Sequence, residues 1–536
     1  MLFRPKPRHL AGMTALVLSA TAYLAADAPA QTTAAPSTQQ QNAAAPAGGA
    51  AATAAEIQQL QALGQRFPQP PAQAEASPQA IPQLETAPDD HGTIASFQPY
   101  GPTISNSNAF FRSLGNTNGR ACFTCHQGEY GWGLSVNAAA QRFAANPNDP
   151  LFRLVDGATC PSDDVSTPAA AEQAYSLLTG KGLIRINLPM QASMQFQIQS
   201  VQDAFGDCNT NPSTGLIGQK SGFVSVYRRP LPSANLGFLS GIMWDTREPT
   251  LTHQAMDATL GHAQGAQAPA GPLLDQIVEF EGCTNALTPQ DCPSANRANL
   301  GGGLFTAQAD DTNAGDLAAN GATGGPISLY QNLGNYSSGI NDPFASNGQQ
   351  FDPAIFHTYD AWANLTGTDP QTQAQLALYR GQQVFNTVTF QITDVPGIND
   401  VQGKQSITGT CGTCHNNPRV GNHSSNLTVD IGVTDASPPF LDVSGLPVFT
   451  VQCTAGPLAG QIFTVTDLGV AMISGQCADI GKTKIPVIRG IAGRSPYFHN
   501  GGATEITNLV DFYNQRFNIG LTDQQKSDLE KFLEAL

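Results

Sequence analysis

Two pentapeptides carry the chemistry most plainly: Cys122-Phe123-Thr124-Cys125-His126 and Cys411-Gly412-Thr413-Cys414-His415. A Cys-x-x-Cys-His run is the attachment pattern of c-type haem. The two thiols add across the porphyrin vinyl groups, and the adjacent imidazole lies under the iron as proximal ligand. A structural zinc site would want a second Cys/His pair nearby, and neither copy has an obvious one. Two copies therefore predict two covalently bound haem c groups. His126 and His415 are the expected iron ligands, and Cys122, Cys125, Cys411 and Cys414 the expected tethers.

Haem c attachment goes with export, and the first thirty residues read as a signal. Arg4, Lys6 and Arg8 precede an apolar run from Leu10 to Ala26, and Ala28-Pro29-Ala30 offers a cleavage site. No later stretch is long and apolar enough to span a bilayer. A periplasmic or equivalent compartment is expected, where cysteines oxidise. Six cysteines remain beyond the haem motifs, and proximity favours Cys160–Cys208, Cys283–Cys292 and Cys453–Cys477 among fifteen pairings. The net charge of −16 argues against nucleic acid or an anionic membrane surface as partner. It would attract a basic electron donor.

The elements that position the motifs are read as follows. Residues 31–93 are rich in Ala, Gln, Pro and Thr, and are expected to be a flexible leader with one helix at Ala54–Arg66. An N-terminal haem domain is placed at 94–365 and a C-terminal one at 366–536. Each motif is expected to open a helix within a cytochrome c-like helical domain, so the fold class predicted is mainly α. Leu376–Phe385 has helical spacing, and Thr522–Leu536 reads as an amphipathic terminal helix. Residues 140–230 and 265–360 are rich in Gly, Pro, Asn and Ser, and read as long ordered loop insertions.

Three further segments narrow the reading. Ile242 to Ala255 (IMWDTREPTLTHQA), Lys484 to Gly490 (KIPVIRG), and Ser495 to Gly502 (SPYFHNGG) followed by Leu509 to Asn514 (LVDFYN) occur in this order. Together they resemble the bacterial di-haem cytochrome c peroxidase superfamily, which includes the enzymes that mature the methylamine dehydrogenase cofactor. The likeness leaves out the leader and the insertions, and its motifs specify the superfamily rather than one activity.

The resemblance implies a peroxidase-type oxidoreductase. Hydrogen peroxide would be reduced at the N-terminal haem, with electrons relayed from the C-terminal haem through a bridging tryptophan, Trp244. A small cytochrome c or a cupredoxin would be the donor, and a homodimer is among the arrangements such relatives adopt. Gln254, ten residues after Trp244, matches a glutamine of the peroxide pocket. The glutamate that serves relatives as acid–base falls on Gln264, which cannot shuttle a proton. His262, with an ordinary pKa of about 6.5, is the candidate in its place. No histidine lies between His126 and His253 to cap the first iron, and Met190 or Met194 is the alternative to an open face.

For the second haem the resemblance places Tyr513 at the distal ligand position, as in the maturation enzymes, with Met472 as rival and His423 as a nearby residue. Arg489 is expected on a haem propionate, with Arg247 a weaker candidate. His499 is expected near the haem–haem interface. A calcium ion held by backbone at Arg494 and Pro496 is also implied. Tyr513 and the missing glutamate leave open an oxidase or oxygenase acting on a protein or organic substrate. A pure electron carrier is a further alternative.

Overall fold

The computed structural model describes residues 80–99, 101–115, 117–190, 193–205, 208–209, 223–282, 303–344, 348 and 350–536. The expected signal, most of the expected leader with its helix, and the expected Cys283–Cys292 pair lie outside these residues.

The expectation of a mainly α fold is overturned: the chain is only 29% helical with 18% strand. Among the described residues the strands form six small sheets, all antiparallel. Much of this β-structure comes from stretches read as loops. Ile184–Pro189 pairs with Phe223–Arg228, and Phe196–Gln202 pairs with Val448–Cys453. Phe196–Gln199 alternates apolar and polar residues, the period of a half-buried strand, although a stretch with Gly206, Asn209 and Asn211 follows. Strand structure also begins at Ala80, inside the stretch expected as leader. Leu84–Asp89 pairs with Gly92–Phe97, which pairs in turn with Phe305–Asp311.

The helices expected around the second motif are present. Pro370–Thr387 starts at Asp369, whose carboxylate accepts from the Thr372 amide at 2.9 Å, with proline in its first turn. Asp523–Glu534 starts at Thr522, which forms a capping box with Gln525. The two helices pack closely because of Gly381, where a Cβ would lie 2.0 Å from the Asp528 carbonyl oxygen. Arg380 fixes the register through two bonds to Asp528, at 2.7 and 2.8 Å. Phe356, Leu378, Phe385, Phe512 and Phe532 fill the core beneath them. In the first half, Leu251–Gly261 starts at Thr250, whose hydroxyl accepts from the His253 amide at 2.9 Å.

Neither haem motif opens a long helix, contrary to expectation. Cys122–Thr124 is one 3₁₀ turn and Cys411–Cys414 one α turn. Gln127 is already extended, and His415 leaves the helical region, so neither turn propagates. Both turns close in the same way. The Thr124 hydroxyl accepts from the Ala121 amide at 3.0 Å, and the Thr413 hydroxyl from the Thr410 amide at 2.9 Å.

The pairings Cys160–Cys208 and Cys453–Cys477 are formed as expected. Cys122, Cys125, Cys411 and Cys414 stay unpaired. No helix among the described residues is long and apolar enough to cross a membrane.

Candidate functional site: two cavities with a common wall

Each pentapeptide opens onto its own cavity. The first encloses about 1310 Å³ and is lined by Cys122, Cys125 and His126. The second encloses about 1720 Å³ and is lined by Cys411, Cys414 and His415.

The imidazoles are held by backbone. His126 donates through Nδ1 to the Trp132 carbonyl at 3.0 Å, and His415 to the Gly421 carbonyl at 2.5 Å. Such a bond fixes the tautomer and leaves Nε2 as the lone-pair nitrogen for a metal. Burial holds His126 at about 4 and also lowers His415, so both rings are neutral at pH 7, as a ligand must be. Trp132 has a left-handed backbone (φ 61°) and is pinned by its Nε1–H to the Ser96 hydroxyl at 2.7 Å. The strand Gly92–Phe97 thereby sets the angle of the first imidazole. Free thiols and a lone-pair nitrogen, both at the wall of one cavity, fit a covalently attached haem c at each motif.

Six residues line both cavities: Arg229, Pro230, Leu231, Pro232, Trp244 and Lys484. Trp244 is thus in the wall between the two tethering sites. Its Nε1–H donates to the Arg229 carbonyl at 2.8 Å, and the Arg229 amide donates to the His499 carbonyl at 2.6 Å. The His499 ring stands edge-on to the Trp244 ring, with centroids 6.0 Å apart. Trp244 also accepts the Lys484 amide at 2.8 Å. Beneath the wall is a buried ion network: Arg228 reaches Asp467 at 2.6 and 2.9 Å and Asp245 at 2.5 Å, and Arg247 reaches Asp245 at 3.0 Å. Burial opposes both carboxylates, yet the arginines more than offset it, and Asp245 and Asp467 stay below the usual carboxylate range.

Gln254 and His262 line the first cavity from one face of the helix Leu251–Gly261 and its C-terminal cap. His262 has a partner that sequence reasoning missed: its Nδ1 lies 2.5 Å from Asp156. Asp156 is buried and also pairs with Arg120, which is buried too. Burial raises the Asp156 carboxyl, but Arg120 and then His262 pull it down to about 2. A carboxylate behind an imidazole behind a cavity is the arrangement that orients a general base. Asp156 lies in an insertion with no motif around it, so no sequence signal marked it. Glu281 also lines this cavity; burial raises its carboxyl to about 7, and its Oε2 has no hydrogen-bond partner. Gln264 does not line the cavity, and accepts from Asn118 at 3.2 Å.

Tyr513 lines the second cavity, packed between Phe498, Phe512 and Phe517. Met472 does not; it is fully buried in the cluster around Cys453 and Cys477, where Met190 and Met194 also pack. None of these three methionines lines either cavity. His423 is buried against Asn416 at 3.0 Å, outside the second cavity.

Two expectations meet a different placement. Arg489 lines neither cavity. It is buried against Gly324 and Thr358, with Nε and Nη1 unpartnered. The cations placed in the common wall are Arg229 and Lys484. Arg494 and Pro496 do line the second cavity, but the Arg494 carbonyl accepts the Arg229 guanidinium at 3.3 Å. That carbonyl, one of the two expected at a calcium ion, thus already carries a guanidinium contact.

No family model matches the chain. It is similar to a cytochrome-c peroxidase of Denitromonas iodatirespirans, 34% identical over 137 residues, 24% of this chain and 36% of the relative. It is also similar to a cytochrome-c peroxidase of Pseudomonas sp. (strain SCT), 33% identical over 81 residues, 13% of this chain and 21% of the relative. The chain thus spans about a third or less of the length of these curated relatives. Among solved structures, a MauG-like protein associated with microbial copper homeostasis aligns over 80% of this chain and 87% of its own. Its identity is 15% and its TM-score 0.33, a likeness too weak to argue from.

Proposed function

We propose, from the premise that this chain is a relative of the di-haem cytochrome c peroxidases, that it is a periplasmic oxidoreductase reducing hydrogen peroxide in the His126 cavity. Electrons from a small cytochrome c or cupredoxin would enter at the His415 cavity and cross Trp244. The observation that carries this reading is the common wall: one tryptophan faces two cavities, each with its own pair of thiols and neutral imidazole.

Haem c, when attached, supplies the redox-active iron of this chemistry. The chain's own residues do the rest. Cys122 and Cys125 tether in the first cavity, Cys411 and Cys414 in the second. His126 and His415 hold the metal-binding nitrogen at a fixed tautomer. Reducing peroxide to two waters consumes two protons and two electrons, and His262, oriented by Asp156, handles a proton at Nε2. Gln254 presents an amide to the same space. The Arg228–Asp245–Asp467 network holds the turn that carries Trp244.

Tyr513 favours a second reading. A phenol at the second cavity suits a stabilised ferric iron, and hence oxidation of a protein or organic substrate.

The test mixes the exported holoprotein, a reduced c-type cytochrome and peroxide in a stopped-flow instrument. Peroxide-dependent oxidation of the donor is expected, slowed on the order of tenfold or more in Trp244→Phe, or at least about 1.4 kcal/mol of barrier. No peroxide-dependent donor oxidation by the holoprotein would overturn the reading.

A further inference from the structure

Lys484 lies in the common wall and is 7% exposed. Its strand, Thr483–Lys484, is clamped on both sides, pairing with Thr428–Val429 and donating its amide to Trp244. Its ammonium has three donors, yet the hydrogen bond it makes is to the Gly241 carbonyl at 3.0 Å. No carboxylate among the described residues lies within ion-pair distance of it. The nearest influence is Asp245, already engaged by Arg228 and Arg247. Besides the motif cysteines and histidines, the charged or titratable residues lining its cavities are Arg112, Arg120, Asp156, Arg228, Arg247, His262 and Glu281 in the first, Arg494, Tyr497, His499 and Tyr513 in the second, and Arg229 in both. Asp430, beyond the paired strand, answers to Arg516 and Lys482 instead. A buried amine without a counter-charge, between two sites where charge changes by one electron, is poised to exchange its proton.

We propose that Lys484 is a redox-linked proton site: its amine takes a proton from water when an electron enters the second cavity, and returns it when the electron leaves. The electron would come from an external one-electron donor, and its acceptor would be the ferric haem c that Cys411, Cys414 and His415 would hold. The matching event on the chain is one new N–H bond, turning amine into ammonium. The inference rests on haem c being bound at His415, but not on peroxide being the substrate.

The surroundings make the linkage readable. Burial holds Lys484 at about 7, opposed by Asp245. Among the other groups lining the second cavity, burial takes His499 to about 4, keeps Arg229 and Arg494 at about 10, and raises Tyr497 and Tyr513 far above neutrality. With His415 and the two cysteines engaged in attachment, Lys484 alone among the described lining residues changes charge between pH 6 and 8. In the first cavity His262 and Glu281 also face the haem site, so the second haem is the clean reporter.

The experiment is a spectroelectrochemical titration of the holoprotein from pH 6 to 8, with the second haem assigned by its ferric paramagnetic resonance. In the unmodified protein its potential should fall as pH rises, towards the limit of 59 mV per pH unit for one proton per electron. Lys484→Met should abolish the slope and hold the potential at or below the high-pH value. Lys484→Arg, charged throughout, should abolish the slope at or above the low-pH value. A flat potential in the unmodified protein overturns the proposal, even if neither variant folds. So does an unmodified protein whose slope survives in either variant. Haem staining per polypeptide tests the attachment premise separately, and donor turnover tests the peroxidase reading separately.

Discussion

Asp156→Asn is the substitution whose consequences the structure fixes most tightly. The carboxylate is buried between Arg120 and His262 and sits at about 2, against an ordinary value of 3.8. At 1.36 kcal/mol per pH unit between those values, it contributes about 2.5 kcal/mol to folding. The folded carboxyl is the stronger acid, so this stabilisation is complete above about pH 4 and is lost as pH falls towards 2. The asparagine keeps an amide oxygen but removes the charge, so the Arg120 guanidinium stays buried with neutral acceptors: that oxygen and the Pro150, Leu151 and His262 carbonyls. Breaking a buried pair in this way costs about 3–5 kcal/mol at neutral pH. Urea unfolding of both holoproteins at a series of pH values measures the effect. The gap between the two stability curves should be about 3–5 kcal/mol at pH 7 and should narrow by about 2.5 kcal/mol between pH 4 and 2. Peroxide turnover should fall on the order of 10²–10⁴-fold as His262 loses its orienting partner. Parallel curves across the acid range, or a variant within about 1 kcal/mol of the parent at pH 7, would refute the reasoning.

Two more outcomes are expected. Tyr513→Phe should change the ferric paramagnetic resonance of the second haem and raise its potential, since a phenolate favours ferric iron; an unchanged signal excludes ligation by Tyr513. Replacing both Cys160 and Cys208 by serine opens a link across 48 residues, which the chain-entropy model values at about 4 kcal/mol, and denaturant unfolding should show a loss of that order. A loss below about 1 kcal/mol would mean that the link does little for stability.

The sequence announces attachment chemistry directly, because a tether and its ligand must be adjacent: Cys122 with Cys125 and His126, Cys411 with Cys414 and His415. Trp244 and Tyr513 were legible only through resemblance, and both line the expected cavities. Asp156 was not legible, because its role depends on a contact with His262 more than a hundred residues away. Arg489, too, was legible only through its motif. Its motif suggested a propionate, yet the chain after Lys484 carries it past the wall and buries it against Gly324 and Thr358. The β-structure was hidden by composition. Phe223–Arg228 is a fully buried strand flanked by a Gly-rich stretch and two prolines, and the flanks dominated the reading.

The partition between the cavities has a consequence for tuning. Two of its six residues are prolines that lack an N–H and hold their backbone angles fixed, and Arg229, Trp244 and Lys484 are tied by hydrogen bonds. Such a divider has no private side. Bulk added or removed at Leu231 alters the volume of both compartments together, so neither can be adapted to a new guest without disturbing its neighbour.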